Sequence, residues 1–554
     1  MQKRCVALLS FFFIIASVWT QVPENKEKAG ILLSGKFQTD ILVPQTDQVI
    51  GTESYDSKIL SNTYGDINML SKYVDAGLRF EMYEKPLPGF GTEYKGVGIP
   101  FFYLKSKYKN LQLTIGNFYE QFGSGMIFRT YEERSLGLDN SLRGGLLTYR
   151  GNGFTLKALG GSQRYYWEYT KSNVYGVDAE MNIGEWINQL KNDKIRIQYG
   201  VSFVSKYQQS EDIMASLSEK LNLPEHVGAF ASRLRVQKGK VSLMTEYAIK
   251  ANDPSAENNY IYKNGNAFLL SGSYSQKGLG LLLQAKRSDN MGFKSQRTER
   301  GQMLNINHLP AFTKQHTYAL AALYPYATQP DGEWAFQGEF TKNIKKGTVL
   351  GGKSGMDLKV NFSRVNSIEK KYLNAATFAV IGTDGYTSDF FAIGKELYYQ
   401  DFDVEISKHL TKSFSINVMY MNQMYNQQVI EGHANNGGIV RSNILVLEGK
   451  YKLSSKTFLR SELQYLHTKQ DYGDWMFGLL EFSVLPSFIF TVSDMYNNGI
   501  TNTHYYMAST TYSHNAHRLQ LSYGRSRAGF NCSGGVCRYV PASKGFQVSY
   551  LMSF

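Results

Sequence analysis

A chain of 554 residues could hold several soluble domains, but its composition argues against that: aromatic residues make up 14%, with 39 Tyr and 33 Phe, on a mean hydropathy of −0.33. Many aromatics on a polar average are what alternating strands with interfacial aromatic girdles produce. The net charge of +13 is not concentrated in any basic run or aromatic-spaced stripe, which argues against a nucleic-acid reader.

In chain order, Met1 to Arg4 is a short basic region and Cys5 to Trp19 an apolar stretch of signal-peptide length. Residues 1–20 therefore read as an export leader, and 21–30 as a short periplasmic segment ahead of a first strand at Ile31. Val18-Trp-Thr20 before Gln21 fits the small-residue cleavage rule loosely, with Ala16 and Ser17 as other boundaries. Beyond the leader no apolar run approaches the ~18 residues of a membrane helix. A membrane-borne chain of this kind must close as a barrel, the other structure that satisfies every backbone group in lipid.

Period-two alternation then recurs to the end. Ile195, Ile197, Tyr199, Val201 and Phe203 alternate with Arg196, Gln198, Gly200 and Ser202, and Leu459, Leu463 and Tyr465 oppose Arg460, Glu462 and Gln464. A charged face opposite an apolar one on so many strands predicts a polar interior. Short turns such as Lys109-Asn110 and Gln237 to Lys240 alternate with long excursions at 44–61, 119–142, 208–227, 288–332, 426–438 and 528–543. The expected fold is all-β: residues 31–554 form one antiparallel transmembrane barrel of about 24 to 26 strands, 22 being the lower count, with short periplasmic turns and long extracellular loops. The alternation does not fix the register between residues 372 and 407. At the C-terminus Phe546, Val548, Tyr550, Met552 and Phe554 form an unbroken apolar row resembling the assembly signal of bacterial outer-membrane barrels.

Three segments stand out within that frame. Residues 117–145 (NFYEQFGSGMIFRTYEERSLGLDNSLRGG) put Glu120, Arg129, Glu132, Arg134, Asp139 and Arg143 into one connection. They form either an inward-folded charged constriction or an extracellular loop whose charges are solvated. Residues 308–334 carry Tyr318, Tyr324, Tyr326 and Trp334, which suit a stacking platform for a ligand or partner, a cap inside the lumen, or an aromatic girdle with an ordered loop, the last being favoured. Cys532 and Cys537 are the only cysteines after the leader, and an oxidising compartment predicts that they pair. They are too few for a metal site, and none is expected.

Gly347 to Ser354 matches the phosphate-loop pattern G-x-x-x-x-G-K-S, but an alternating strand follows where that motif needs a helix, so no nucleotide is expected. No nucleophile or metal motif supports an enzyme, and no cofactor is implied.

The segments 117–145, 309–333 (LPAFTKQHTYALAALYPYATQPDGE), 468–475 (TKQDYGDW) and 532–545 (CSGGVCRYVPASKG) resemble a family of uncharacterised Bacteroidetes-type outer-membrane proteins. The resemblance implies a large outer-membrane barrel and carries no catalytic residues. No plug domain precedes Ile31, so any lumen filling must come from loops, with 119–142 and 288–332 as the candidates. The expected partners are outer-membrane lipid and lipopolysaccharide, and the outer-membrane assembly machinery through the C-terminal strand. The first functional expectation is a passive or gated channel for a polar or anionic solute. The alternative is a non-transport scaffold or accessory subunit of a secretion, assembly or adhesion complex.

Overall fold

The computed structural model describes residues 30–192, 194–373, 376–433 and 438–554. The expected leader, 1–20, and residues 21–29 lie outside the described residues. Twenty-four antiparallel strands form one closed sheet, within the expected range. The first strand, Ile31–Pro44, pairs with the last, Ser543–Ser553, from Lys36↔Ser553 to Pro44↔Gly545. Gly35 and Phe554 exchange backbone hydrogen bonds of 2.9 and 3.0 Å at the end of this seam. A Cβ on Gly35 would lie 2.2 Å from the Phe554 ring, so only glycine leaves room for it.

Alternation and turn chemistry explain this architecture. Two-residue turns follow strands such as Gly96–Tyr108, Leu142–Gly151 and His504–His514, and Lys109, Asn152 and Asn515 there take positive φ. That geometry matches the twist of the flanking strands. Gly347 to Ser354 lies in another turn, between Glu333–Ile344 and Met356–Ile368. The uncertain register has a physical cause: Met356–Ile368 pairs with Ile393–His409 through shifts at Val365/Asn366 and Asn366/Ile368. Such bulges break a period-two pattern.

Outward side chains such as Leu113, Ile115, Phe203, Leu243, Leu283, Leu447 and Val492 are exposed around the barrel, as a lipid-facing band requires. The inward wall near the long loops combines an apolar buried layer, with Val204, Ala229, Ala231, Ala248, Ala267, Val365, Met421, Ile444 and Leu466 in one cluster, and buried charges such as Lys206, Lys250, Lys286 and Glu333, so the expected polar interior is only part of it. The small residues let loop backbone come close to the wall.

What fills that layer is chain from two long loops, 119–141 and 290–332. Residues 290–332 are the longest connection and turn inward, which corrects the favoured reading of this segment as a girdle with an ordered loop. Trp334 is placed apart from the tyrosines: it stacks on Phe336 at 5.5 Å, Phe390 meets it edge-on at 6.2 Å, and it is buried with Ile261, Ile368 and Tyr386.

Candidate functional site: a plug made of loops

The plug begins where Leu111–Phe118 leaves the wall. Phe122 and Phe128 pack ring to ring at 5.0 Å and, with Met126 and Ile127, bury against Leu142, Leu159, Val174 and Val204. The tip turns at Gly123, whose φ of 54° favours glycine and where a Cβ would meet Glu246 Oε1 at 2.6 Å. This close approach lets the Ser124 amide donate to Glu246 Oε2 at 2.9 Å.

The second segment lies against the first as added backbone. Arg129 N donates to Ile306 O at 2.8 Å and His308 N to Gly125 O at 2.9 Å. Phe293, Ile306, Leu309, Phe312, Leu320 and Leu323 fill the wall's apolar layer. The tyrosines tie to wall and loop by their hydroxyls: Tyr324 donates to Asp471 at 2.9 Å, Tyr326 to Glu333, and Tyr318 accepts from Asn417 at 2.5 Å. Lys286, itself fully buried, holds Glu333 Oε1 and Pro310 O, both at 2.6 Å.

A hairpin of Gly529–Ser533 and Val536–Val540 ties the two segments together, with Cys532 and Cys537 in a disulfide across it. Thr328 N donates to Gly535 O at 3.0 Å, Arg538 Nη2 to Ser135 O at 2.9 Å, and Val536 packs on Leu136 and Leu138. The bridge closes a small loop and contributes about 2 kcal/mol by chain entropy.

The structure brings together some of the charged residues of 117–145 and separates others. Glu132, Arg134 and Asp139 join one buried network with the wall residues Asp66, Arg79, Glu81 and Arg164. Arg79 contacts Asp66 at 2.7 Å, Glu132 at 2.9 Å and Asp139 at 3.2 Å; Arg164 contacts Glu81 at 2.6 Å and Asp139 at 2.7 Å. Arg134 bridges Asp66 at 2.8 Å and Glu132 at 2.6 Å. Three guanidinium groups thus face four carboxylates. Burial raises both loop carboxyls, but Arg164 and Arg79 hold Asp139 below its ordinary range, whereas for Glu132 burial prevails and its pKa is raised. Glu120 pairs separately with Lys157 at 2.9 Å. Arg129 lies over the Tyr131 ring at 4.5 Å. Arg143 is on the opposite face of the wall, between the rings of Phe102 and Tyr169, so it does not reach the lumen.

His308 sits where the segments meet, edge-on to Tyr131 at 5.6 Å. Burial, with the charges of Arg129 and Lys286 added, pushes its pKa down to about 3. The docked plug therefore holds a neutral imidazole, and its contribution is complete above the ordinary value near 6.5 and is lost as pH falls from there towards 3. Lowering the pH from 7.5 to 4.5 should loosen the plug by on the order of 2 kcal/mol. Protease cleavage within 290–332 should accelerate accordingly, and His308→Phe should remove most of that acceleration. Equal acceleration in the variant would assign the effect to another group.

The sequence matches, over residues 1–554, the model of a family of unknown function, DUF6029. The chain belongs to that family. No curated protein is similar enough to count as a relative of this DUF6029 chain. Among solved structures, it is similar to the siderophore receptor PirA from Pseudomonas aeruginosa at 9% identity and a TM-score of 0.39, over 94% of this chain and 80% of that one. It is similar to the outer membrane protein opdK from the same organism at 13% identity and 0.36, over 71% and 93%. The E. coli P pilus tip assembly intermediate PapC-PapD-PapK-PapG matches at 10% identity and 0.46, over 96% and 62%. These likenesses are of the barrel alone. A closed sheet of this size with an apolar outer band makes this DUF6029 chain an integral outer-membrane protein.

Sequence reasoning missed the wall half of the charge network. Arg79 and Glu81 are two apart on Val74–Tyr83 and so share a face, a signal that marks them as inward without naming their partners in the loop.

Proposed function

We propose that the protein is a non-enzymatic channel for polar solutes, gated by its own inward-folded loops. The observation that carries this reading is a polar hollow beneath the plug. A cavity of about 960 Å³ at the short-turn rim shares Gln198 and Arg235 with a second of about 240 Å³, lined by Gln121, Lys157, Asp178, Glu180 and Arg233. The hollow ends against Gln121 and Gly123, at the tip of the first plug segment. Charged walls of this kind suit hydrated solutes, and displacing one loop tip extends the hollow outward.

Single-channel recording of the purified, folded protein in a planar bilayer tests the reading. The expected trace is a silent baseline broken by voltage-driven open steps, with a reversal potential under a salt gradient that reports the preferred charge. A correctly folded barrel that stays silent across the voltage range would favour the second reading, a scaffold or accessory subunit of a secretion, assembly or adhesion complex. One observation supports that alternative: Leu217 and Phe378 stand exposed on long loops, where binding residues concentrate. Under either reading, the C-terminal row from Phe546 to Phe554 is proposed as the contact for the outer-membrane assembly machinery.

A further inference from the structure

Two carboxylates stand side by side on the lumen wall. Asp401 and Asp403 are two apart on Ile393–His409, so both point inward, and both are fully buried. Asn361 on the neighbouring strand donates to each, at 3.2 Å to Asp401 Oδ1 and 3.0 Å to Asp403 Oδ2. From the plug, His316 places Nε2 2.8 Å from Asp401 Oδ2, and Lys314 Nζ lies 2.5 Å from Asp403 Oδ1. Glu405, next along the same face, is 3.9 Å from Lys314 and 3.5 Å from Lys359.

We propose that His316, Asp401 and Asp403 bind one divalent transition-metal ion, which clamps the segment 290–332 to the barrel wall. One donor atom from each lies within 4.8 Å of the others. Ion–ligand bonds of about 2.0–2.2 Å then fit after small side-chain adjustments. One imidazole nitrogen with two carboxylate oxygens suits zinc and its neighbours better than magnesium or calcium, which favour all-oxygen sets. Asn361 supplies the outer hydrogen bonds that orient ligating carboxylates.

The local charge balance points the same way. Three carboxylates, Asp401, Asp403 and Glu405, face two lysines, and buried carboxylates are costly without a cationic partner. His316 and Lys314 also line a cavity of about 380 Å³ with Tyr324 and Tyr326, which gives an ion an approach and room for a water ligand. Lys314 is the competing cation: its side chain is 21% exposed, and it moves aside when the ion takes Asp403.

The test uses the untagged chain without its leader, folded in detergent, stripped with a chelator and loaded with zinc chloride before desalting. Elemental analysis should find one zinc per wild-type chain that His316→Ala does not retain. Asn361→Ala should weaken zinc binding by about tenfold, and Lys314→Ala should tighten it. Wild-type protein that holds no more zinc than His316→Ala would overturn the proposal and leave an ion pair between His316 and Asp401. Should the variants fail to fold, cobalt added to the wild-type protein decides: a visible ligand-field band supports the site, and its absence at saturating cobalt refutes it. The site does not depend on conductance, so its failure would leave the channel reading standing.

Discussion

Replacing residues 292–329 with a short glycine-serine bridge turns the closed barrel into a wide, permanently open pore. The excision is geometrically mild, because Met291 N already donates to Pro330 O at 3.0 Å and Ser288 pairs with Glu333 in the ladder. Lys286 loses Pro310 but keeps Glu333, while Asp401 and Asp403 lose His316 and Lys314 and are left to Asn361 and to the water that enters the opened lumen. The wall's strand ladders are untouched, and they carry the closure of the sheet. With its larger plug segment gone, a barrel of 24 strands should exceed in conductance a porin of about 16–18 strands, whose lumen is already an aqueous channel. The measurement is single-channel conductance beside the wild-type chain, with retained heat-resistant folding as the control. A folded variant that stays silent would show that 119–141 and the remaining loops seal the lumen unaided.

Arg164→Met should release the first plug segment without opening the sheet. Arg164 is almost fully buried and holds Glu81 and Asp139 at 2.6 and 2.7 Å. Removing it leaves those carboxylates to Arg79, which already serves Asp66 and Glu132. Breaking one partner out of a buried ion network costs about 3–5 kcal/mol, since the groups left behind stay desolvated. Most of that cost falls on the docking of 119–141, because Asp139 belongs to the loop while Glu81 belongs to the wall. Limited proteolysis of the bilayer-embedded protein should cut within 119–141 far faster in the variant. Arg164→Lys should fall between, since an ammonium cannot reproduce the two-pronged contact. Arg143→Met is the matched control because its side chain lies on the outer face. Equal cleavage of the Arg164 and Arg143 variants would remove the network as the lock.

The barrel was legible because its cause is local: strands carry their own alternation, and short turns such as those at Lys109, Asn152, Gly239, Gly278 and Asn515 their own residue at positive φ. The plug was only partly legible. Length and lost periodicity marked 288–332 as unusual, but its aromatic content fits a membrane girdle as well as a buried core. What separates the two is the opposing wall, where Ala229, Ala231, Ala248 and Ala267 occupy inward positions. In one dimension those alanines read as weak strand alternation. The disulfide was readable because only two cysteines, Cys532 and Cys537, lie beyond residue 20. The charge network was not, since Arg164 and Glu81 are 83 residues apart and nothing local says that they meet. Likewise Asp401 and Asp403 show their shared face in sequence, while His316 arrives from a loop whose direction the sequence does not disclose.

The seam at Gly35 sets an order in time. The strand that completes the sheet is the last to be made, and its hydrogen-bonded partners lie as far as 519 residues back along the chain, from Phe554 to Gly35. Until they meet, the growing sheet travels with two raw edges, each a template for joining a stranger. Bringing such distant ends together costs only about 5 kcal/mol, because that cost rises with the logarithm of the separation. The hazard is therefore one of waiting rather than of energy. A protein built this way stays exposed for as long as its edges are apart, and the Phe554 ring settling over Gly35 marks the moment that exposure ends.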